Sequence, residues 1–569
     1  MYSPTTPSPA IGFIVDRNKI IGISQPVDDN EVLKEIKGLL EGGIRRICIC
    51  LKGSFYDNRD ECQIKSIMAE QYPEHYLGSI PILTGEEICK HPDDMSRCHG
   101  ALLNAYVHGP MAASLFKLED ELRGKGYILP LLIGHTDGGV AKVSKTKPLS
   151  TIESGPIFGI HGSGYFAGIY NLEKVITLDV GGTTSKIGLI LDGKPATSNP
   201  SAIFDIPMNI PLIDLHSLAL GGGTVARPSS DSEITLGPRS MGSYPGPAAY
   251  DLGGTEATLT DALLVLKYLD SNYYAGGTRK LNIARAEQVI EEMVAKPLGI
   301  DLVKAAHMIL DEALNMIAGE IKRVVKNVGI NPQEFVLFGF GGNGGLLSCN
   351  IAEKIGVNQV CIFSIGSVFS AFGSSIADIS HTYEYAPCVP LEDFKRLHSV
   401  VSQLRQEALR DMKGEGLNLA KVEIDLYLEI GDGENRPIPI ECHYLDFDKR
   451  SDVEVLRKLF AKKASPDYRQ DNLRVELLKL KAHHPAPSYK PAVFPIEESD
   501  SGSALKGERE IISGDKLLTA SIYDRNLLNN GNYVNGPAII EAVDTTCLVP
   551  TGWELNIDKY KNGFINRKG

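Results

Sequence analysis

Nowhere in this 569-residue chain do eighteen apolar residues run together, which excludes a membrane-spanning helix of ordinary length. Blocks of Lys or Arg are absent as well. With 58 basic against 71 acidic residues and a net charge of −13, the chain lacks the electrostatic footprint of a nucleic-acid or anionic-lipid binder. The ten cysteines lack the regular spacing of a disulfide framework or zinc knuckle. Cys48 and Cys50 sit inside the apolar run RRICICL, so the thiols read as reduced core residues of a cytoplasmic protein. The opening MYSPTTPSPA has neither the basic start nor the apolar core of a signal peptide and reads as loose chain. His483-His484 and Cys98-His99 have no companions at metal-ligand spacing and read as structural or exposed. There is no Walker loop, no Rossmann spacing with an acidic strand end at the usual distance, no Ser/His/Asp set and no biotin signature.

What is present is an ordinary globular composition, 43% hydrophobic and 23% charged. At ~150 residues per domain the length suggests several domains. The texture divides the chain into residues 1–174, 175–380 and a mostly β stretch, 381–569. Residues 28–41 read as a helix and Arg46–Leu51 as a buried strand. Ser96–Arg123 reads as a long helix interrupted near Gly109–Pro110, and Ile128–Gly134 as a strand running into HTDGGV. Leu302–Val328 is the clearest helix. Leu302, Ala306, Ile309, Ala313, Met316, Ile321, Val324 and Val328 mark one face, and Gly329 stands at the C-terminal cap. After residue 381, VEIDLYLEI, IPIECHYL, LRVELLKLKA and the closing GPAIIEAVDTTCLVPTGWELNID alternate as strands do, and Glu497–Gly507 reads as an exposed loop. Alternating strands and helices ahead of that region make the class α/β.

Two glycine motifs carry chemistry. VITLD and KIGLIL flank the turn VGGTT, so Asp179-Val-Gly-Gly-Thr-Thr forms a hairpin tip. Without Cβ atoms at Gly181 and Gly182, backbone N–H groups can approach a phosphate. Thr183 and Thr184 add hydroxyls, and Asp179 at the strand end can hold Mg²⁺ through water. The plainer alternative is a tight hairpin with an Asp at its edge. The second motif, FGGNGG, lies between the strand FVLFGF and a helix from Leu346 to Ile355. Gly341, Gly342, Asn343 and Gly344 would aim helix N–H groups at an anion, unless glycine is needed there only for close packing. Between the motifs lie IDLHSLALGGGTVARP, with Asp214, His216 and Arg227, and the Gly/Pro-rich stretch from Gly237 to Leu264. A His beside an Asp is either a structural hydrogen-bonded pair or a catalytic one. Asp261 follows Thr260 at the start of a helix, where capping is its simplest role.

The hairpin and the strand–GGNGG–helix together look like one lobe of the actin/sugar kinase/Hsp70 (ribonuclease H-like) architecture. In order, the chain carries LLNAYV, DGGV, TIESGPIFGIHGSG, TLDVGGTTSKIGLI, IDLHSLALGGGTVARP, LGPRSMGSYPGPAAYDLGGTEATLTDALLVL, FGFGGNGGLL and SAFGSSIAD. This series resembles the hydantoinase A/oxoprolinase family, which includes ATP-dependent hydantoinase, 5-oxoprolinase and the A-type subunits of acetone and acetophenone carboxylases. The resemblance implies ATP and Mg²⁺ as cofactors, a hydantoinase B-like partner subunit, and transfer of a phosphoryl group to the oxygen of a small-molecule amide, lactam or ketone. Cyclic-amide opening is the first reading, with ketone carboxylation and a non-catalytic scaffold as alternatives. It also implies nucleotide contacts from Gly181–Thr184 and Gly341–Gly344. Asp179, Asp214, His216 and Arg227 are the catalytic candidates, with Arg239 a second possible cation. Family members carry a further Asp-x-Gly-Gly-Thr hairpin in the first lobe. The sequence shows none upstream, so Asp179–Thr184 corresponds to the second-lobe hairpin. Lys186 stands where many members have Asp.

Overall fold

The computed structural model describes residues 14–568 except 74, 76, 78–79, 199–201, 204–205, 208–211, 230–232, 434, 436, 443–444, 466–467, 470–471 and 498. The Ser/Thr/Pro-rich start lies outside the described residues. The chain folds into two compact units, one of residues 155–196, 213–376 and 489–569, the other of 1–154, 197–212 and 377–488. No described helix is long and apolar enough to cross a membrane.

The first of these units is organised by a mixed sheet. β1 (Val175–Val180) and β2 (Ser185–Leu191) form the expected hairpin, pairing antiparallel from Val175 opposite Ile190 to Val180 opposite Ser185. Their apolar side chains are buried along almost the whole length, which is why the run does not alternate with polar residues. β3 (Leu215–Leu218) pairs antiparallel with β2, while β4 (Val336–Phe340) runs parallel to β1, and β5 (Gln359–Ile362) parallel to β4. The order β3-β2-β1-β4-β5 is that of the ribonuclease H-like sheet, so the unit has the α/β architecture of the actin/sugar kinase/Hsp70 lobes. Gly563–Arg567, Trp553–Ile557 and Tyr533–Asn535 continue the sheet beyond β5. A separate four-stranded sheet orders Leu505–Ser513, Lys516–Asp524, Ala538–Glu541 and Thr546–Val549.

Three of the unit's helices bear on the site. α1 is Leu259–Val265, α2 Leu302–Asn327 and α3 Gly344–Ile355. α2 starts at the Asp301 cap, whose side chain accepts from Lys304 N. It ends one residue before Val328, and Gly329 follows with φ +69. Its buried stripe is wider than expected, because Ala305, Leu310, Leu314, Ile317, Ala318 and Val325 join the face, while Val328 is exposed. A helix packed on two sides needs such a stripe. Truncating Ile317 or Ile321, both fully buried, would cost ~2–5 kcal/mol.

The other unit holds a small parallel pair, Ile47–Ile49 with Ile82–Thr84, and a larger sheet built on Arg474–His484 between Glu423–Gly431 and Ile379–Tyr385. Val140–Lys142 and Leu132–Gly134 extend it, so the strand expected over Ile128–Gly134 begins only at Leu132. The helix expected at 28–41 spans Asp29–Glu41, capped by Asp28. The expected break at Gly109–Pro110 does not occur, and one helix runs from Asp94 to Gly124 through Pro110. Proline removes a donor and crowds the turn before it. The bond missing at Pro110 is the one to the Tyr106 carbonyl, and one residue earlier the Ala105 carbonyl accepts from Arg46 Nη1 at 2.7 Å. The C-terminal region is β-rich, but two amphipathic helices, Phe394–Gly414 and Arg450–Lys463, interrupt its strands. The polar stretch expected to be an exposed loop contains the short helix Gly502–Ala504, with Ala504 buried, and β structure from Leu505.

Candidate functional site

Because β1 and β4 are parallel, both glycine motifs leave the sheet at the same end. Phe340 is opposite Asp179, and each chain turns immediately afterwards. The hairpin closes with Gly181 N donating to Thr184 O at 3.0 Å. Asn343 then ties the two turns together. Its backbone N–H donates to Val180 O at 2.9 Å and its side-chain Nδ2 to Gly181 O at 3.0 Å. A third turn arrives from β3. Gly222 N donates to Gly181 O at 3.1 Å and Gly223 N to Gly182 O at 2.7 Å. Thr260 holds this turn from α1, its backbone N–H and its hydroxyl both donating to Gly222 O at 2.8 Å.

α1 itself begins two residues earlier than expected. Thr258 is the cap, and Asp261 is the reciprocal partner in a capping box. Asp261 is fully buried and accepts from Thr258 Oγ1 at 2.7 Å, Thr258 N at 3.0 Å and Ala249 N at 2.7 Å. Burial pushes its carboxyl up, against these donors. A buried acid that fixes two loops in this way is structural.

The three turns line one cavity of about 210 Å³. Gly181, Gly182, Gly222, Gly223, Gly342 and Asn343 contribute its polar backbone wall. The remainder includes Pro247, Tyr250, Thr260 and Leu346, with residues of the Leu269–Ala275 segment and Glu541–Thr546. The last segment is fixed over the second turn by Thr545 Oγ1, which donates to Gly342 O at 3.3 Å. Val543 packs on Gly276, whose φ is +64 and where an added Cβ would lie 2.7 Å from Val543 Cγ1. Sequence reasoning did not find these two segments as site residues. Nothing local in SNYYAGG or EAVDTT distinguishes them, and only the tertiary fold brings them to the glycines.

The glycines are not equivalent. A Cβ on Gly341, at φ +80, would sit 2.2 Å from Asp179 Oδ1, and one on Gly221 would sit 2.6 Å from Gly182 C and Thr183 N. At these positions the fold itself demands glycine. Gly182 and Gly342 have no atom within 4 Å of an added Cβ. Packing does not explain them.

The expected site residues separate into groups. Asp179 lies behind Gly341. Burial raises its carboxyl, offset by a hydrogen bond with Ser370 and by the charge of Lys186. Gly344 is buried at the start of α3, and Thr183 and Thr184 form the hairpin tip. Asp214 and His216 do not line the cavity. His216 Nε2 lies 3.1 Å from Asp214 Oδ2, and Nδ1 lies 3.4 Å from Glu320 Oε1 and 3.2 Å from Arg323 Nη2. This cluster joins β3 to α2. Arg227 and Arg239 both pair with Glu256, at 2.7 and 3.1 Å, and also stand outside the cavity lining.

Comparison with known proteins identifies the family. A family model described as hydantoinase/oxoprolinase matches residues 97–383, and the model of its C-terminal domain matches residues 390–564. The chain belongs to the hydantoinase/oxoprolinase family. It is 31% identical to the acetophenone carboxylase gamma subunit of Aromatoleum aromaticum, over 96% of this chain and 79% of that protein. It is 28% identical to the caprolactamase subunit alpha of Pseudomonas jessenii, over 94% and 78% respectively. The nucleotide-free structure of acetone carboxylase superposes with a TM-score of 0.82 at 24% identity, covering 95% of this chain and 79% of that one, which establishes the shared fold. Family membership brings together ATP-dependent amide hydrolases and ketone carboxylases, and does not by itself choose between them.

Proposed function

We propose that this chain binds Mg·ATP in the glycine-walled cavity and transfers the γ-phosphoryl group to a carbonyl oxygen, activating a cyclic amide for hydrolytic ring opening. The observation that carries the reading is the pair Gly182 and Gly342. Both face a cavity, both have open space where a Cβ would stand, and a close-approaching phosphate is the natural reason to keep them bare. In the transfer, the bond from the γ-phosphorus to the bridging oxygen breaks as the carbonyl O–P bond forms, and ADP leaves. Water then adds to the activated carbon, the ring C–N bond opens to leave an acyl phosphate, and a second water hydrolyses it so that phosphate departs. The sum is lactam, ATP and two waters giving amino acid, ADP and phosphate. Amide resonance makes the unactivated carbonyl a poor electrophile. Catalysis of the transfer rests on positioning and on backbone donors aimed at the phosphates.

The residues present fit a hydrated magnesium ion. No three described His, Cys, Asp or Glu residues converge on a metal cage, so a cation would be borne chiefly by phosphate oxygens and water, the usual preference of Mg²⁺. Asp179, a half-buried carboxylate near the end of β1, is the group that would hold it through water. Bound there, Mg²⁺ would neutralise phosphate charge. Arg227, already balanced by Glu256, and the Asp214–His216–Glu320–Arg323 cluster are proposed as supports of the β3 turn rather than groups on substrate.

The partner is proposed to be a hydantoinase B-like subunit that completes the reaction. Supporting this, two of the relatives are themselves named as subunits. The 31% identity with a carboxylase subunit favours a second reading in which the activated group is an enolised ketone that then accepts carbon dioxide. The test is to purify the chain with its partner and follow phosphate release with a lactam series and with ketones plus bicarbonate. ATP-dependent ring opening supports the first reading, and carboxylation replaces it with the second. Phosphate release unaffected by any carbonyl compound would overturn both.

A further inference from the structure

The cavity wall carries three acids, Asp270, Glu541 and Asp544, as well as glycine turns, and Asp544 accepts from Ser367 Oγ. Glu541, almost fully buried, accepts hydrogen bonds from Arg509 Nη2 at one oxygen and from Lys506 Nζ at the other. Asp270 accepts from the same Arg509 Nη2 at 2.9 Å and from Asn272 N at 2.7 Å. Lys506 also stands 3.6 Å from the centroid of the Tyr273 ring, another lining residue. Arg509 Nη1 is buried and has no hydrogen-bond partner among the described residues. Two of the three acids, Asp270 and Glu541, are therefore held by two cations from the Leu505–Ser513 strand.

We propose that Asp270 and Glu541 form a subsite for the vicinal hydroxyls of a nucleotide ribose, with Arg509 and Lys506 as positioning residues. The inference rests on the proposed nucleotide reading of the cavity and specifies which part of the ligand meets which wall. Carboxylates only accept hydrogen bonds, so they repel phosphate and must face donors. Phosphates go to the backbone N–H groups of the glycine turns. The donors that remain on a nucleotide are its sugar hydroxyls and any amino group on the base, and two adjacent carboxylates match a vicinal diol. Charge-assisted O–H to carboxylate bonds are the strong kind. The cations have a separate task. Two uncompensated carboxylates would repel a polyanion sharing a small cavity, and Arg509 and Lys506 cancel that charge while leaving carboxylate lone pairs free.

The experiment is calorimetry on the full chain with ATP, 2′-deoxy-ATP and 3′-deoxy-ATP. The expected result is that each missing hydroxyl weakens binding at least ~10-fold. In Asp270→Asn, and separately in Glu541→Gln, that ratio should fall at least threefold. A merely structural loosening would weaken ribose and deoxyribose nucleotides alike and leave the ratio unchanged. Should Glu541→Gln fail to fold, the wild-type comparison and the more exposed Asp270→Asn still decide the matter. Arg509→Met should weaken ATP binding most at low ionic strength and recover with salt, because the lost term is electrostatic. A loss independent of salt overturns its positioning role. If ATP binds, and Gly182→Val abolishes that binding, but the deoxy analogues bind within twofold of ATP, the subsite is wrong and the nucleotide reading stands. If no nucleotide binds, the nucleotide reading fails and takes the subsite with it.

Discussion

HTDGG at residues 135–139 and GGNGG at 341–345 both follow short apolar strands, yet one is filled by the protein and the other is not. In the first, Asp137 Oδ1 accepts from Gly139 N at 3.1 Å, and Lys481 lies 3.6 Å from the carboxylate. Burial pushes the Asp137 carboxyl up, but Lys481 and the Gly139 amide outweigh it and hold the group below its usual range. A Cβ on Gly139 would stand 1.8 Å from Ser380 Oγ. That turn needs glycine because the next strand is packed against it. The second turn has room in front of Gly342, and so has the hairpin tip at Gly182. Glycine-rich turns that look alike in sequence thus divide by what occupies the space a side chain would take, and open space in front of a turn leaves room for a ligand.

The largest effect expected from this contrast comes from filling the empty turns. Gly182→Val or Gly342→Val should weaken nucleotide binding at least ~100-fold, about 2.8 kcal/mol. The thermal midpoint of the free protein should stay within a few degrees, since a Cβ at either position meets no neighbour within 4 Å. Calorimetry with ATP and a thermal melt settle it together. Unchanged affinity in both variants would remove the cavity's claim to phosphate. It would also revive the reading of the chain as a non-catalytic scaffold, for which bare glycines have no use.

The filled turn should behave in the opposite way. Gly139→Ala forces a methyl onto Ser380 and should cost ~1–3 kcal/mol of stability, with nucleotide affinity unchanged. The double variant Gly139→Ala, Ser380→Gly should recover most of that, because the buried Ser380 hydroxyl has no hydrogen-bond partner among the described residues to lose. Denaturant unfolding of the three proteins measures the recovery. An Ala variant as stable as the wild type would mean the turn is not tightly packed. A smaller effect joins stability to binding. Thr258→Ala removes the α1 cap and should cost ~1 kcal/mol. Because Thr260 on the same turn holds Gly222, ATP affinity should also fall a few-fold. Stability loss without any change in affinity would uncouple the cap from the cavity.

Much of the cavity-bearing unit was legible because its signals are local. The β1–β2 hairpin shows as two apolar runs about a glycine turn, and α2 shows as a periodic face ending at Gly329. Other features depended on partners far along the chain. The helix through Pro110 is tied to a distant segment by Arg46, which donates to the Ala105 carbonyl, and no inspection of residues 94–124 reveals that contact. Thr258 and Thr260 are both able to cap, and the choice follows from Asp261 reaching back to Thr258 N. The helices Phe394–Gly414 and Arg450–Lys463 carry readable apolar faces, Leu397, Val400, Val401 and Leu404 among them, but these were masked by polar composition and by strands on either side. Asp214 and His216 are paired as their sequence proximity suggests. Their connection to Glu320 and Arg323 comes from α2 and makes the pair part of a four-residue cluster.

The smallest expected effect belongs to the unit with the filled turn and is a pH dependence. His483, on the Arg474–His484 strand, has Nδ1 3.1 Å from Asp378 Oδ2, and Nε2 3.4 Å from Asp425 Oδ2 and 3.8 Å from Glu423 Oε2. The hydrogen bond with Asp378 is the main cause that raises its pKa above the usual value, with the charges of Asp425, Asp378 and Glu423 adding to it and partial burial opposing it. A histidine whose folded pKa exceeds its unfolded one stabilises the protein fully below the unfolded value, near ~6.5, and the stabilisation is lost as pH rises through the folded value. The thermal midpoint of this unit should therefore fall by about 1–2 °C as pH rises from slightly acid through neutrality into mild alkali. His483→Asn should flatten that part of the profile, while ATP affinity should show no matching change because His483 does not line the cavity. Differential scanning calorimetry of both proteins across that range checks the sign. A wild-type midpoint that rises with pH there, or an Asn variant that keeps the full slope, would show that the three surrounding carboxylates do not hold a protonated His483 in the folded chain.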